Sequence, residues 1–167
     1  GVLAPGLIAY IAVSKFDDHL PLYRLARIFE ERHGVYIPRQ TLANAMGVAA
    51  EWTGLIVKQM MGDMLTHGYM QVDETPIKYL DPTTGKTSTG YFWVFHQPGG
   101  DTVYYWSTGR GHENLLEMIP TSHQGVLQCD GYSAYPCAGK KREGLSFAGC
   151  WAHARRGFYK SFETKDH

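Results

Sequence analysis

Sixteen Lys and Arg balance sixteen Asp and Glu over 167 residues, so no overall field marks the chain as a binder of nucleic acid, membrane or acidic substrate. A hydrophobic content of 44% with 13% aromatics excludes a disordered chain, and no apolar run approaches the ~20 residues that a membrane span needs. Three cysteines without paired spacing, and no signal-peptide pattern, fit free thiols in a reducing cytoplasm. The chain opens at Gly1 without methionine and stops within "SFETKDH", a segment of helical composition, and so reads as an excerpt.

Residues 1–67 read as a helical segment. In "DDHLPLYRLARIFEERHG" the apolar set Leu22, Leu25, Ala26 and Phe29 follows i, i+3, i+4, i+7, with Asp18 placed to cap the start and Gly34 the stop. "PRQTLANAMGVAA" repeats the pattern through Leu42, Ala45, Met46 and Ala49, with Pro38 suited to the first turn. A third helix is expected from about Glu51, carrying Trp52, Leu55, Ile56 and Met60 and ending near Gly68. The short "GVYI" link between the first two makes a helix-turn-helix-like corner, which either enters a DNA groove or simply props up the next domain.

From Gly68 the period changes to two. "YMQVDE", "YFWVFHQ" and "TVYYWS" predict an antiparallel three-stranded meander, with "DPTTGKTSTG" and "PGGD" as its connections. "HENLLEMIP" then reads as a short helix, "GVLQCD" and "LSFAGCW" as strands separated by an irregular segment, and "AHARRGFYKSFE" as a closing helix. That order, over residues 68–167, predicts an α/β fold: a ribonuclease H-like mixed sheet with flanking helices.

In that topology the first and fourth strands are neighbours, and both end in an aspartate, Asp73 and Asp130. Carboxylates from adjacent strand ends can share Mg²⁺ or Mn²⁺, hard cations that take oxygen ligands and leave positions open for water and phosphate. Such ions suit in-line displacement at a phosphodiester. The plainer reading is that aspartate ends strands because it favours turns, "DGY" being a turn signal itself. Glu74, next to Asp73, should point to the opposite face and serve as an exposed or salt-bridged acid.

"DETPIK", "TGYFWVF", "LQCDGYSAY" and "GCWAHARRGF", in this order, resemble the catalytic region of transposases of the insertion-sequence-66 family, and "DHLPLYRLARIFEERHGVYIPRQTLANAM" resembles the segment preceding it. The resemblance covers nearly the whole chain. It implies an Asp-Asp-Glu transposase with Asp73 as first acid and Asp130 as second, acting on transposon ends and target DNA as a homo-oligomer. The family's third acid lies in a downstream Asn-Asn-x-x-Glu-Arg stretch that this sequence lacks, so the chain alone should be poorly active. Glu163, 33 residues beyond Asp130, is the alternative third acid. The competing functions are a non-catalytic DNA-binding module or transposase remnant, and a metal-dependent nuclease without a transfer step.

Between Gly139 and Lys160 six basic residues (Lys140, Lys141, Arg142, Arg155, Arg156, Lys160) face only Glu143, an excess of 6 − 1 = 5. His153, Arg155 and Arg156 open a helix just after a strand, where amides and guanidinium groups both suit DNA phosphate. Lys140, Lys141 and Arg142 are candidate DNA-backbone contacts or a solvated face. Trp151 is expected in the core. Cys129, Cys137, Cys150 and His153 offer zinc-type donors but lack a C-x₂-C knuckle. The aromatic strand residues read mainly as core, with a base-stacking role as the less favoured alternative.

Overall fold

The computed structural model describes residues 3–163, the last of them through its backbone only. It divides into two compact units, residues 1–59 and 60–167. The first is built from α1 (Pro5–Phe16), α2 (Leu22–His33) and the first part of α3 (Arg39–Leu65). Its core gathers Ile8, Ile11, Leu25, Phe29, Ile37, Leu42 and Ala45. Gly34 ends α2 at φ 65°, giving its N–H to Glu30 while Val35 gives its own to Phe29, so the sequence-predicted stop is where the helix turns off. Asp18 does not cap the start: α2 begins at Leu22 behind Pro21, whose fixed φ and missing N–H suit a helix entry.

The two helices expected on either side of residue 50 are one, since α3 runs unbroken through Gly47 and Gly54. A glycine in a helix interior costs about 1 kcal/mol, too little to break a helix of 27 residues. Trp52, Leu55 and Ile56, the apolar residues of the expected third helix, are exposed on α3.

The second unit is an α/β arrangement around a five-stranded mixed sheet of order β3-β2-β1-β4-β5. The strands are β1 (Tyr69–Leu80), β2 (Thr87–His96), β3 (Thr102–Ser107), β4 (Gly125–Cys129) and β5 (Leu145–Gly149). The first three form the predicted meander, and β1 pairs in parallel with β4, which pairs in parallel with β5. Helices α4 (His112–Met118), α5 (Ala134–Lys141) and α6 (Trp151–Glu163) complete it. The segment expected to be irregular is α5. Its Pro136 sits in the first turn, where the missing N–H would have no helical partner anyway.

Alternation sets the two faces. Met70, Val72 and Glu74 of β1 point into the core with Trp93 and Phe95 of β2, Val103 of β3 and Leu127 and Cys129 of β4. Tyr135 of α5 lies over this face, edge-on to Trp93 and tilted against Phe147 of β5. Trp93, Phe95 and Tyr135 have no exposure, and each such burial contributes about 1.5–3 kcal/mol. The other face, carrying Gln71, Asp73, Val94 and His96, borders an open groove of about 300 Å³.

The sequence expectation that β1 stops at Asp73 is corrected: it continues through Pro76 to Leu80. Pro76 is tolerated because β4 covers β1 only over Tyr69–Gln71, leaving β1 as an edge strand from there on. The β1–β4 pairing starts from a close approach of two glycines. Gly68 has φ 64°, and a Cβ at Gly125 would stand 2.5 Å from the Gly68 carbonyl oxygen. Because the obstacle is backbone, Gly125→Ala is expected to destabilise this unit by about 1–3 kcal/mol in urea unfolding, with the m-value unchanged.

His123, in the loop before β4, is buried and its Nδ1 meets the Leu65 carbonyl at 3.1 Å, while its Nε2 has no partner among the described residues. Burial, with Arg142 nearby, holds its pKa below the ordinary value of 6.5. A depressed histidine keeps its full contribution above the unfolded pKa and loses it as pH falls through the folded one. Urea midpoints should therefore drop between pH 7.5 and 5.5, by less in His123→Gln.

Candidate active site

Asp73 and Asp130 are brought to one edge of the sheet by register. Gln71 of β1 is the last residue paired with β4, opposite Gln128, and its Nε2 donates to the Gln128 Oε1 at 2.8 Å. That pair is separated by 57 residues, as are Asp73 and Asp130 two positions further on. The pairing ends there, and Asp73 and Asp130 each stand two residues beyond that last pair, past the same end of the parallel ladder.

Each carboxylate is tied locally. Asp73 Oδ1 accepts the Glu74 N–H at 3.0 Å, and Asp130 Oδ1 accepts the Tyr132 N–H at 2.8 Å, closing the "DGY" turn. The Cys150 N–H donates to the Cys129 carbonyl at 2.8 Å, which joins the end of β4 to the start of α6. From the first turn of α6, His153 Nε2 comes to 3.7 Å from Asp73 Oδ2. The groove between them is lined by Asp73, Val94, His96, Gln128, Cys150 and His153, among others.

On the opposite face, Glu74 is the buried, salt-bridged acid. Its side chain has no exposure, and Arg110 reaches its Oε1 through Nε at 2.7 Å and Nη2 at 2.6 Å. Tyr135 OH donates to Oε2, and burial with this bond raises the Tyr135 pKa. Arg110 also stacks over the Tyr132 ring, 3.8 Å from its centroid. Burial and the surrounding acids push the Cys129 thiol up to about 12, so it is no nucleophile at neutral pH.

Among the described residues no three or more His, Cys, Asp or Glu come together as a metal-binding group. The zinc arrangement of Cys129, Cys137, Cys150 and His153 is therefore not formed: Cys129 is buried in β4, and Cys137 is exposed on α5. The side chain of Glu163 lies outside the described residues.

A family model described as "Transposase IS66 family" matches residues 1–167. The chain belongs to the IS66 family of transposases. Three proteins of Sinorhizobium fredii are similar to it. Uncharacterized protein y4qI is 35% identical over 95% of this chain and 32% of its own length, y4jD 33% over 95% and 33%, and y4hP 30% over 96% and 30%. The chain thus spans about a third of these relatives. No helix among the described residues is long and apolar enough to cross a membrane.

In this IS66-family chain the basic residues do not form one patch. Arg155 and Arg156 are exposed on α6, which follows β5, whereas Lys140, Lys141 and Arg142 close α5, ahead of β5. Arg142 is occupied: Nη1 donates to the Ile119 carbonyl and to Pro120 at 3.1 Å, and Nη2 to Leu116 at 2.9 Å, capping the end of α4. Trp151, expected in the core, is 82% exposed. His153 faces the sheet, and two helical residues turn about 200°, which carries Trp151 to the far side.

Arg110, Tyr132 and Tyr135 were not singled out from the sequence. The available signal was Glu74 itself, a charge on the buried phase of β1 that requires a partner. For Arg142, replacement by Ala should lower the free energy of unfolding by roughly 1–3 kcal/mol, as measured by urea titration.

Proposed function

We propose that this chain is the central part of the catalytic region of a DNA transposase, and that the full-length protein cuts and joins phosphodiester bonds at the ends of a mobile element. Asp73 and Asp130 are its first two acids. The observation that supports the reading is the parallel β1–β4 pairing, which ends at Gln71 and Gln128, two residues before each aspartate, with Asp73 lining the adjoining groove. Membership of the IS66 transposase family supports it. So does the strand order, which is that of a ribonuclease H-like core, the class to which we assign the second unit.

The donors fit Mg²⁺ or Mn²⁺ in kind, being hard carboxylate oxygens. They are short in number, since no third acid joins them among the described residues. In this reading Asp73 and Asp130 hold the metal, and the third acid comes from the downstream part of the full-length protein. The bound ion would supply an activated water or 3′-hydroxyl and charge neutralisation at phosphorus. The chain's own side chains orient the site. The Glu74 and Tyr132 amides fix one oxygen of each aspartate, and His153 limits the swing of the Asp73 carboxylate. Arg155 and Arg156, exposed on α6, hold the DNA backbone beside the aspartates, with Lys140 and Lys141 as separate contacts. DNA contact by the helical corner and assembly of several copies on paired ends belong to the same proposal.

Asp73→Asn and Asp130→Asn in the full-length protein keep shape and remove a charge. Each is expected to reduce joining of labelled transposon ends to target DNA by at least about 100-fold, with an unchanged thermal midpoint. Full joining by either variant would show the catalytic assignment to be wrong. Cut but unjoined ends from the unaltered protein would instead identify a nuclease.

A further inference from the structure

We propose that Glu74 and Arg110 are positioning residues for Asp130: buried Glu74 of β1 orients the part-exposed Arg110 guanidinium, which fixes Tyr132, and through the Tyr132 amide the Asp130 carboxylate. This rests on the reading of Asp73 and Asp130 as the metal-holding acids.

Three segments distant in sequence meet beneath the "DGY" turn. Glu74 comes from β1, Arg110 from the loop after β3, and Tyr135 from the first turn of α5. Arg110 places two N–H groups on one oxygen of Glu74, at 2.7 and 2.6 Å, and Tyr135 OH takes the other. With its plane fixed by that fork, the guanidinium lies 3.8 Å over the Tyr132 ring, which also stands edge-on to Tyr135 at 6.5 Å. The Tyr132 N–H is the donor to Asp130 Oδ1. Nothing lies within 4 Å of where a Cβ on Gly131 would stand, so packing at residue 131 does not hold the turn. Its side-chain anchor is Tyr132.

An apolar residue at position 74 would fill the same space without the desolvation that the enclosed Glu74 carboxylate incurs. What the ion pair adds is direction. Because Glu74 follows Asp73 on β1, one strand presents a carboxylate to each face, and the inner one governs the loop that carries the partner of the outer one.

Glu74→Gln alone would leave Arg110 charged without its partner and lower stability for that reason, so the decisive variant is the pair Glu74→Gln with Arg110→Met. In the full-length protein we would measure the urea midpoint, hydrogen exchange of the Tyr132 amide, and the Mg²⁺ concentration giving half-maximal joining. Expected for the pair is a midpoint close to the unaltered protein, with Tyr132 exchange at least ~10-fold faster and the half-saturating Mg²⁺ raised about 10-fold. Arg110→Lys, which keeps the charge but not the planar stack, should shift both readouts in the same direction even if the paired variant does not fold. Normal Tyr132 protection and normal Mg²⁺ dependence in these variants would overturn the proposal. Failure of the functional reading is separate: it would appear as full joining by Asp130→Asn, whatever the Tyr132 amide does.

Discussion

The second unit depends on a short piece of parallel pairing. β1 is bonded to β2 over ten positions and β4 to β5 over five, yet β1 and β4 share only three. Those three join an antiparallel meander to a parallel pair, and they begin where Gly125 comes too close to the Gly68 backbone to carry a side chain. Because a strand's side-chain period is two, a slip of one residue here would turn Asp73 inward and Glu74 outward. The close glycine contact and the bridge from Gln71 to Gln128 oppose such a slip, one sterically and one by hydrogen bonding.

The brevity of that pairing also opens the site. Had β4 followed β1 beyond Gln71, the β1 edge would be filled by ladder hydrogen bonds. Instead β4 ends at Cys129, the chain turns at Asp130, and α6 starts close by through the Cys150 to Cys129 bond. The adjacent acids of the "DE" pair then serve opposite faces: Asp73 is half exposed beside the groove, and Glu74 is fully enclosed by Arg110 and Tyr135.

Much of this was legible in the sequence because it is periodic. The apolar residues of α2 and the alternation of the meander predict elements that form, and the expected adjacency of the first and fourth strands is present. What was not legible depends on tertiary context. Pro76 reads as a breaker until β1 is known to have a free edge, and Pro136 with Gly139 reads as a loop until α5 is seen to rest on Phe147. The boundary expected near Glu51 is absent, since α3 runs on unbroken. Trp151 looked buried because tryptophan usually is, but the phase of α6 is set by His153 facing the sheet. The pairing of Glu74 with Arg110 spans 36 residues and has no local signature at all.

The basic residues show how a run in sequence differs from a patch in space. β5 separates Lys140 and Lys141 from Arg155 and Arg156, and five residues of strand span roughly 16 Å. DNA rises about 3.4 Å per base pair, so under the proposed function the two groups would meet phosphates about five base pairs apart, not one shared phosphate. Under the same proposal the two lysines would add affinity and orientation, and their loss would weaken binding without altering which bond is attacked.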